Sequence, residues 1–214
     1  MPNLYPALEH QEVIVHTPRH ARSFAELTGE ELAAAASAWH QRIEAARDAG
    51  FAYPYLFLNE GHEAGASLPH SHSQLAWLRE VPPEVEAELP NLEQGACALC
   101  SILADDSLEI ALAGDHTLRA ASAGRVPYEL LIAPSAHEAE PTEEALVQAI
   151  TLLHEAVRRL REVEGPTPLN AWLHTGAHWH IEVMPRLTVL AGLELGAGLY
   201  VNWLPPVEAA ARLR

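Results

Sequence analysis

There is no lysine in this chain: all thirteen basic residues among its 214 are arginine. That absence excludes a P-loop lysine, a Schiff-base lysine and a kinase-type phosphate lysine together. Any phosphate chemistry must then use arginine, backbone amides, a bound metal or histidine, and histidine is plentiful at thirteen. Cysteine is scarce, with two residues three positions apart, Cys97 and Cys100. One pair makes no disulfide framework, which leaves metal binding or redox work in a reducing compartment. No run of eighteen apolar residues exists, and Met1-Pro2-Asn3-Leu4 lacks the basic-then-apolar order of a signal peptide. Neither a membrane span nor a signal peptide is expected, and a cytoplasmic location follows by default. Positive charge is also short, the formal net charge being -16. A protein that coats nucleic acid needs clustered cations, so any nucleotide bound here should be small. The hydrophobic share of 49% is enough to build a core for one large domain or two small ones.

What is present concentrates in Gly65-Ala66-Ser67-Leu68-Pro69-His70-Ser71-His72-Ser73-Gln74. Read as a strand, the period of two puts His70, His72 and Gln74 on one face and Ser71, Ser73 and Leu75 on the other. Upstream, Asn59-Glu60-Gly61 and Gly65-Ala66-Ser67 supply small residues whose amides can approach an anion. The plain alternative is an edge strand carrying two solvated histidines. His72 is the candidate nucleophile, because a neutral imidazole can attack phosphorus directly and split one displacement into two. Gln74 can donate to a phosphoryl oxygen but has no proton to exchange with water or a leaving group. This favours passing the intermediate to a phosphate acceptor over hydrolysing it.

Along the chain, Met1 to Leu8 reads as extended, with Asn3-Leu4-Tyr5-Pro6, and Glu12 to His16 as a β-branched strand ended by Thr17-Pro18-Arg19-His20. Thr28 opens an alanine-rich helix that Gly50 stops, and Tyr53 to Leu58 is a second strand. Val81-Pro82-Pro83-Glu84 starts a short acidic helix that Pro90 ends, and Gln94-Gly95 leads into the cysteine pair. Leu108–Leu112 and Thr117–Ala121 flank Gly114-Asp115 as a hairpin, and Tyr128 to Ala133 is another strand. Thr142 to Val163 is a long amphipathic helix closed by Gly165-Pro166. Strands at Leu169–His174 and His178–Val183 follow, and Pro205-Pro206 starts a terminal helix. The order strand, histidine, long helix, strand, loop, His-x-His thus occurs twice, ending once at His70-x-His72 and once at His178-x-His180. Residues 1–92 form a first α+β half carrying the nucleophile, and 93–214 a second.

In the second half Cys97, Cys100, His137 and His178 make a set of two thiolates and two imidazoles, the donors of a closed tetrahedral zinc site. A thioredoxin-like redox pair, or two plain core thiols, is the alternative, though no βαβ pattern surrounds the pair.

The run Asn59-Glu60-Gly61, Gly65-Ala66-Ser67, Pro69-His70-Ser71-His72-Ser73-Gln74 resembles the active-site segment of the galactose-1-phosphate uridylyltransferase family, a branch of the histidine triad superfamily. His178-Trp179-His180-Ile181-Glu182, Pro185-Arg186-Leu187-Thr188 and Ala191-Gly192-Leu193-Glu194-Leu195-Gly196 resemble the same family, so the likeness covers nearly the whole chain. Ser71 and Ser73 stand closer to its ADP-glucose phosphorylase branch. The resemblance implies a duplicated histidine-triad-like fold of antiparallel sheets covered by long helices, a cytoplasmic homodimer, and a place in galactose or other carbohydrate metabolism. It implies that His72 takes a nucleoside monophosphate from a nucleotide sugar, releases sugar 1-phosphate and passes the group to a second phosphate compound. Gln74 would hold the phosphoryl oxygens, Ser67 would contact phosphates, Asn3 and Asn59 would lie near the nucleotide, and Gly65 and Ser73 would complete the substrate contacts.

By the same resemblance Cys97, Cys100, His137 and His178 bind zinc. A second metal in some relatives would match His178, His180 and Glu88. A first family zinc joins an amino-terminal Cys-x-x-Cys to histidines matching His20 and His70. This chain has only the histidines, which implies that an amino-terminal portion is missing. The alternatives are a phosphorylase of ADP-glucose or of a dinucleoside polyphosphate and, from another class, a non-catalytic truncated protein that binds zinc or nucleotide.

Overall fold

The computed structural model describes residues 1–4, 6–93 and 95–214. Tyr5 of the extended lead and Gln94 of the expected turn before the cysteines lie outside the described residues. Short β-branched and aromatic runs form the strands β1 (Gln11–Val15), β2 (Tyr53–Glu60), β3 (His72–Leu78), β4 (Glu109–Ala113), β5 (His116–Ala120), β6 (Leu130–Pro134), β7 (Leu169–His174) and β8 (His180–Pro185). Two long helices, α1 (Gly29–Asp48) and α4 (Glu143–Glu164), are each opened by a threonine cap, Thr28 and Thr142. Shorter helices are α2 (Pro83–Glu88), α3 (Ala98–Leu103), α5 (Gly192–Ala197) and α6 (Pro206–Leu213).

The eight strands make one antiparallel sheet in the order β1-β3-β2-β7-β8-β6-β5-β4. Counted outward from the β2–β7 junction, β2-β3-β1 on one side is mirrored by β7-β8-β6 on the other. The repeated strand–helix–strand–strand unit has therefore become one continuous sheet with a pseudo-twofold through its middle, and the β4–β5 hairpin extends one side.

Residues opposite one another share a face of the sheet. Ile14, Leu58, Leu75, Ala171, Leu173, Ile181 and Val183 are buried under α1 and α4, whose stripes run Leu32, Ala36, Trp39, Ile43 and Leu146, Ile150, Leu153, Val157. These recur every three or four residues, so each helix lays one side on the sheet. Truncating one such leucine to alanine costs about 2–5 kcal/mol. On the opposite face a smaller cluster of Leu92, Cys97, Leu99 and Ala133 seats α3. Between it and β1 the sheet face carries polar and aromatic side chains.

Three strand limits correct the expectations. The strand expected to hold His70 begins at His72, and that expected from His178 begins at His180. In both copies the first histidine lies in the bend before the strand, so simple alternation does not govern it. The expected strand at Tyr128 starts at Leu130, because Tyr128 has φ 58° and Glu129 N–H donates to Val126 O at 3.2 Å in a tight turn.

Candidate active site

The segment joining β2 to β3 walls a cleft of about 330 Å³ whose lining includes Arg22, Asn59, Gly61, Ser67, His70 and His72. Gly61 sits at φ 88°, and a Cβ there would lie 2.9 Å from Pro168 Cβ, so only glycine fits the bend. After a short turn at His62–Ala64, Gly65 at φ 87° reverses the chain toward Ser67. Asn170 of β7 holds this loop from below, its Nδ2 donating to Asn59 Oδ1 and to Ala64 O, both at 2.8 Å. Glu60 closes the other wall: its carboxylate accepts Ser23 Oγ–H at 2.6 Å and Phe24 N–H at 2.7 Å. Burial pushes the Glu60 carboxyl above the usual carboxylate range despite those bonds. The β1–α1 connection is thereby tied to the cleft, which brings Arg22 to its rim.

His72 is 4% exposed, and its Nδ1 lies 2.7 Å from the carbonyl oxygen of His70. A carbonyl only accepts, so Nδ1 carries a proton, and in the neutral ring the lone pair then sits on Nε2. An imidazole held this way is oriented, and its neutral form is nucleophilic at one atom, Nε2. His70 does not join it as a second free imidazole. Its Nε2 lies 3.0 Å from Arg19 O and its Nδ1 3.2 Å from Ser71 O, so the ring fastens the bend to the β1–α1 connection. His20 stands beside it with ring centroids 5.9 Å apart. Beneath them His16 meets Ser71 Oγ at 2.9 Å through Nδ1. Burial, with the neighbouring His72 and His70, presses its pKa to about 3, so His16 is neutral at physiological pH.

The other expected residues fall in several places. Register pairs Gln74 with Phe57 and with Val13, which sets its amide on the same sheet face as His72. Ser67 and Asn59 line the cleft, and Gly65 shapes it. Asn3 lies at the sheet edge beyond the cleft lining, its N–H donating to Gln11 O at 2.8 Å. Ser73 corrects the expectation of a substrate contact. Its side chain turns to the helix-covered face, is 0% exposed, and accepts Trp39 Nε1–H at 2.8 Å. The alternation that presents His72 and Gln74 necessarily buries the residue between them.

Cys97, Cys100, His137 and His178 offer ligand atoms that all lie within 4.8 Å of one another. Cys97 caps α3, which brings Cys100 back one turn onto the same point. His178 Nδ1 is 3.4 Å from both sulfurs, and His137 Nδ1 is 3.5 Å from Cys100 Sγ. Ligand separations of roughly 3.5 Å are what a tetrahedron with metal–sulfur and metal–nitrogen bonds near 2.3 and 2.1 Å requires. His178 Nε2 faces Pro134 O at 3.0 Å, which turns the Nδ1 lone pair toward the thiols. The donor set fits a metal ion. The second set implied by resemblance, with His178, His180 and Glu88, is divided: His178 belongs to the cysteines, while His180 lies among Glu88, His174 and Glu182. Burial pulls His180 down, but the Glu182 hydrogen bond and the Glu88 charge outweigh it and raise its pKa.

Three site residues escaped the sequence reading. Arg22 is the arginine on the cleft; most others are paired, as in Arg19–Glu31 and Arg42–Glu12, whereas Arg22 has no carboxylate in ion-pair range among the described residues. Its place two positions after His20, in a chain poor in cations, was the available signal. Glu60 and Gln11 act through contacts 36 and 63 residues away, which no local pattern reveals.

Comparison with known proteins agrees with this geometry. Residues 9–83 match the family model for the galactose-1-phosphate uridyl transferase N-terminal domain. The chain is 27% identical to an ADP-glucose phosphorylase of Arabidopsis thaliana over 95% of its own length, and spans 63% of that relative's length. It is 25% identical to a galactose-1-phosphate uridylyltransferase of Thermotoga maritima, covering 95% of this chain and 73% of that one. The solved structure of the Arabidopsis phosphorylase with bound ADP-glucose superposes with a TM-score of 0.91 at 26% identity, over 100% of this chain and 80% of that one. With the family model on the His72 half, the likeness in sequence across 95% of the chain and the shared fold across all of it, the chain is similar to galactose-1-phosphate uridylyltransferases and to an ADP-glucose phosphorylase over nearly its whole length.

Proposed function

We propose that the protein transfers a nucleoside monophosphate from a nucleotide sugar to a second phosphate compound through a covalent intermediate on His72. The observation that carries this reading is the 2.7 Å contact from His72 Nδ1 to His70 O, which leaves Nε2 as a fixed lone pair on the cleft. In the first step Nε2 attacks the α-phosphorus, the bond from phosphorus to the bridging oxygen breaks, and sugar 1-phosphate leaves with the electron pair. The positive charge on the ring is shared with the His70 carbonyl through Nδ1–H. In the second step an acceptor phosphate oxygen attacks the same phosphorus and the imidazole leaves neutral. A phosphate leaving group needs no proton, which suits a site whose neighbouring group is the amide of Gln74. Gln74 holds the phosphoryl oxygens, Ser67 and the Gly65 bend receive the phosphates with Arg22 at the rim, and Asn59 and Asn3 lie toward the nucleoside.

Two acceptors are in balance. A sugar 1-phosphate acceptor makes the enzyme a uridylyltransferase of galactose metabolism. Inorganic phosphate makes it a phosphorylase, a reading favoured by the 27% identity to the ADP-glucose phosphorylase. Zinc is the ion best suited to Cys97, Cys100, His137 and His178, where a closed shell of protein donors supplies folding energy and leaves no position for substrate. In this reading residues 1–92 carry the nucleophile and 93–214 the metal. The enzyme works in the cytoplasm as a homodimer, with neither nucleic acid nor membrane as partner. Supplying UDP-glucose or ADP-glucose with galactose 1-phosphate or with phosphate, and measuring product, tests the reading. Turnover in one combination names donor and acceptor, and binding without product in zinc-replete protein contradicts an enzyme.

A further inference from the structure

We infer that Gln11 is a positioning residue that sets which end of the Gln74 amide faces the reacting phosphoryl group. This rests on the reading in which His72 and Gln74 carry out the transfer. Gln11 opens β1 opposite Ala76, so it is the diagonal neighbour of Gln74 on the same sheet face. Its two ends are bonded in sequence. Gln11 Oε1 accepts the backbone N–H of Ala7 at 2.9 Å, and Gln11 Nε2 donates to Gln74 Oε1 at 2.8 Å.

The direction of this chain is not arbitrary. A backbone N–H only donates, so the group facing Ala7 must be the Gln11 oxygen, and the group facing Gln74 must be the Gln11 amide nitrogen. An NH2 there demands an acceptor, so Gln74 turns its oxygen to Gln11 and its own NH2 the other way. The result is a donor on the His72 face of the sheet, the end a phosphoryl oxygen needs. Unrestrained, the amide could turn over and present its oxygen to the phosphoryl oxygens, converting attraction to repulsion. Ala7 thus fixes the polarity of the Gln74 donor through one intervening side chain.

The test uses the full chain and follows formation of the nucleotidyl adduct in a single turnover with the nucleotide sugar that labels it. Gln11→Glu keeps the shape and the acceptor for Ala7 but presents a second acceptor to Gln74, which must then flip. Gln11→Met removes both bonds and leaves the amide free. Adduct formation should slow about 100-fold in the first, the scale of losing one transition-state donor. It should slow about tenfold in the second, the scale of one bond to a charged group. Nucleotide affinity should change less than twofold in either variant. In a Gln74→Ala background both substitutions should have no further effect. Equal slowing with and without Gln74 would overturn the inference, as would unchanged rates in both variants or a Gln74→Ala protein that labels at the wild-type rate. Those results leave the His72 reading intact, whereas a wild-type protein that never labels sinks that reading and this inference with it.

Discussion

Among the residues, Arg22 is the cation whose removal should be felt by substrate rather than by the fold. It lines the cleft, and its side chain has Nε 3.4 Å from His20 Nε2 while its position is set through Ser23 and Phe24 on Glu60. Arg22→Gln should weaken binding of a nucleoside diphosphate about tenfold, the loss of one charge-assisted bond, and leave the monophosphate and the melting temperature nearly unchanged. Calorimetric titration of both ligands checks this, and equal weakening of the two would contradict a role on the outer phosphate. The contrast with His72 shows what is legible in sequence at this scale. His72 and the Cys97, Cys100, His137, His178 set are readable because their residue types carry the chemistry wherever the chain puts them. Arg22 and Gln11 are ordinary residue types made important by an anchor far away in sequence. His70 was misread for the complementary reason, since a local period was extended into a bend, while Ser73 lies on the face the period gave it, and that buried face is at odds with the substrate contact implied by resemblance.

At the scale of an element, the start of α1 couples helix capping to the cleft. Thr28 Oγ1 accepts Glu31 N–H at 3.3 Å, and Glu31 returns a carboxylate to Thr28 N–H at 2.8 Å, closing a capping box. The same carboxylate takes Arg19 at 2.7 Å and the Thr17 hydroxyl at 2.5 Å, in the segment that leads to His20. These bonds, Arg19 first and then Thr17 and Thr28, hold the Glu31 pKa down to about 2 against 4.5 unperturbed. A depressed carboxylate stabilises the fold above its unfolded pKa and ceases to do so as pH falls through the folded one. The difference in melting temperature between wild type and Glu31→Gln should therefore be full at pH 6 and shrink as pH falls from 4.5 toward 2. A difference that persists unchanged to pH 2 would contradict the assignment. Thr28→Ala should cost about 1 kcal/mol in denaturant unfolding. The helix itself was legible, because Thr28, Glu31 and Gly50 mark its ends and apolar residues mark its buried side. The late starts of β3 and β8 were not, since they depend on bends whose hydrogen bonds reach other elements, and that of β6 depends on the positive φ of a non-glycine residue, Tyr128, in a tight turn.

For the whole molecule, duplication explains the architecture, and under the proposed function it separates the metal from the chemistry. The two units join edge to edge through β2 and β7, and equivalent His-x-His bends precede β3 and β8. The repeat was visible as an order of elements, while their fusion into one eight-stranded sheet required the β2–β7 pairing, which no local signal carries. In one bend the second histidine, His72, faces the cleft, and in the other the first, His178, faces the thiols. Metal in the second unit should therefore be separable from chemistry in the first. Cys97→Ser should lose the bound zinc, measured by elemental analysis, and lower the melting temperature while His72 remains able to label. Retention of one equivalent would contradict the ligand set. The most direct test of the central claim is intact mass after incubating zinc-loaded protein with UDP-glucose or ADP-glucose, beside His72→Asn. We expect wild type to gain one nucleoside monophosphate, whose mass names the base, and the variant to gain none. A folded, zinc-bound protein that gains no mass with either donor, or a His72→Asn protein that still gains it, would contradict the account.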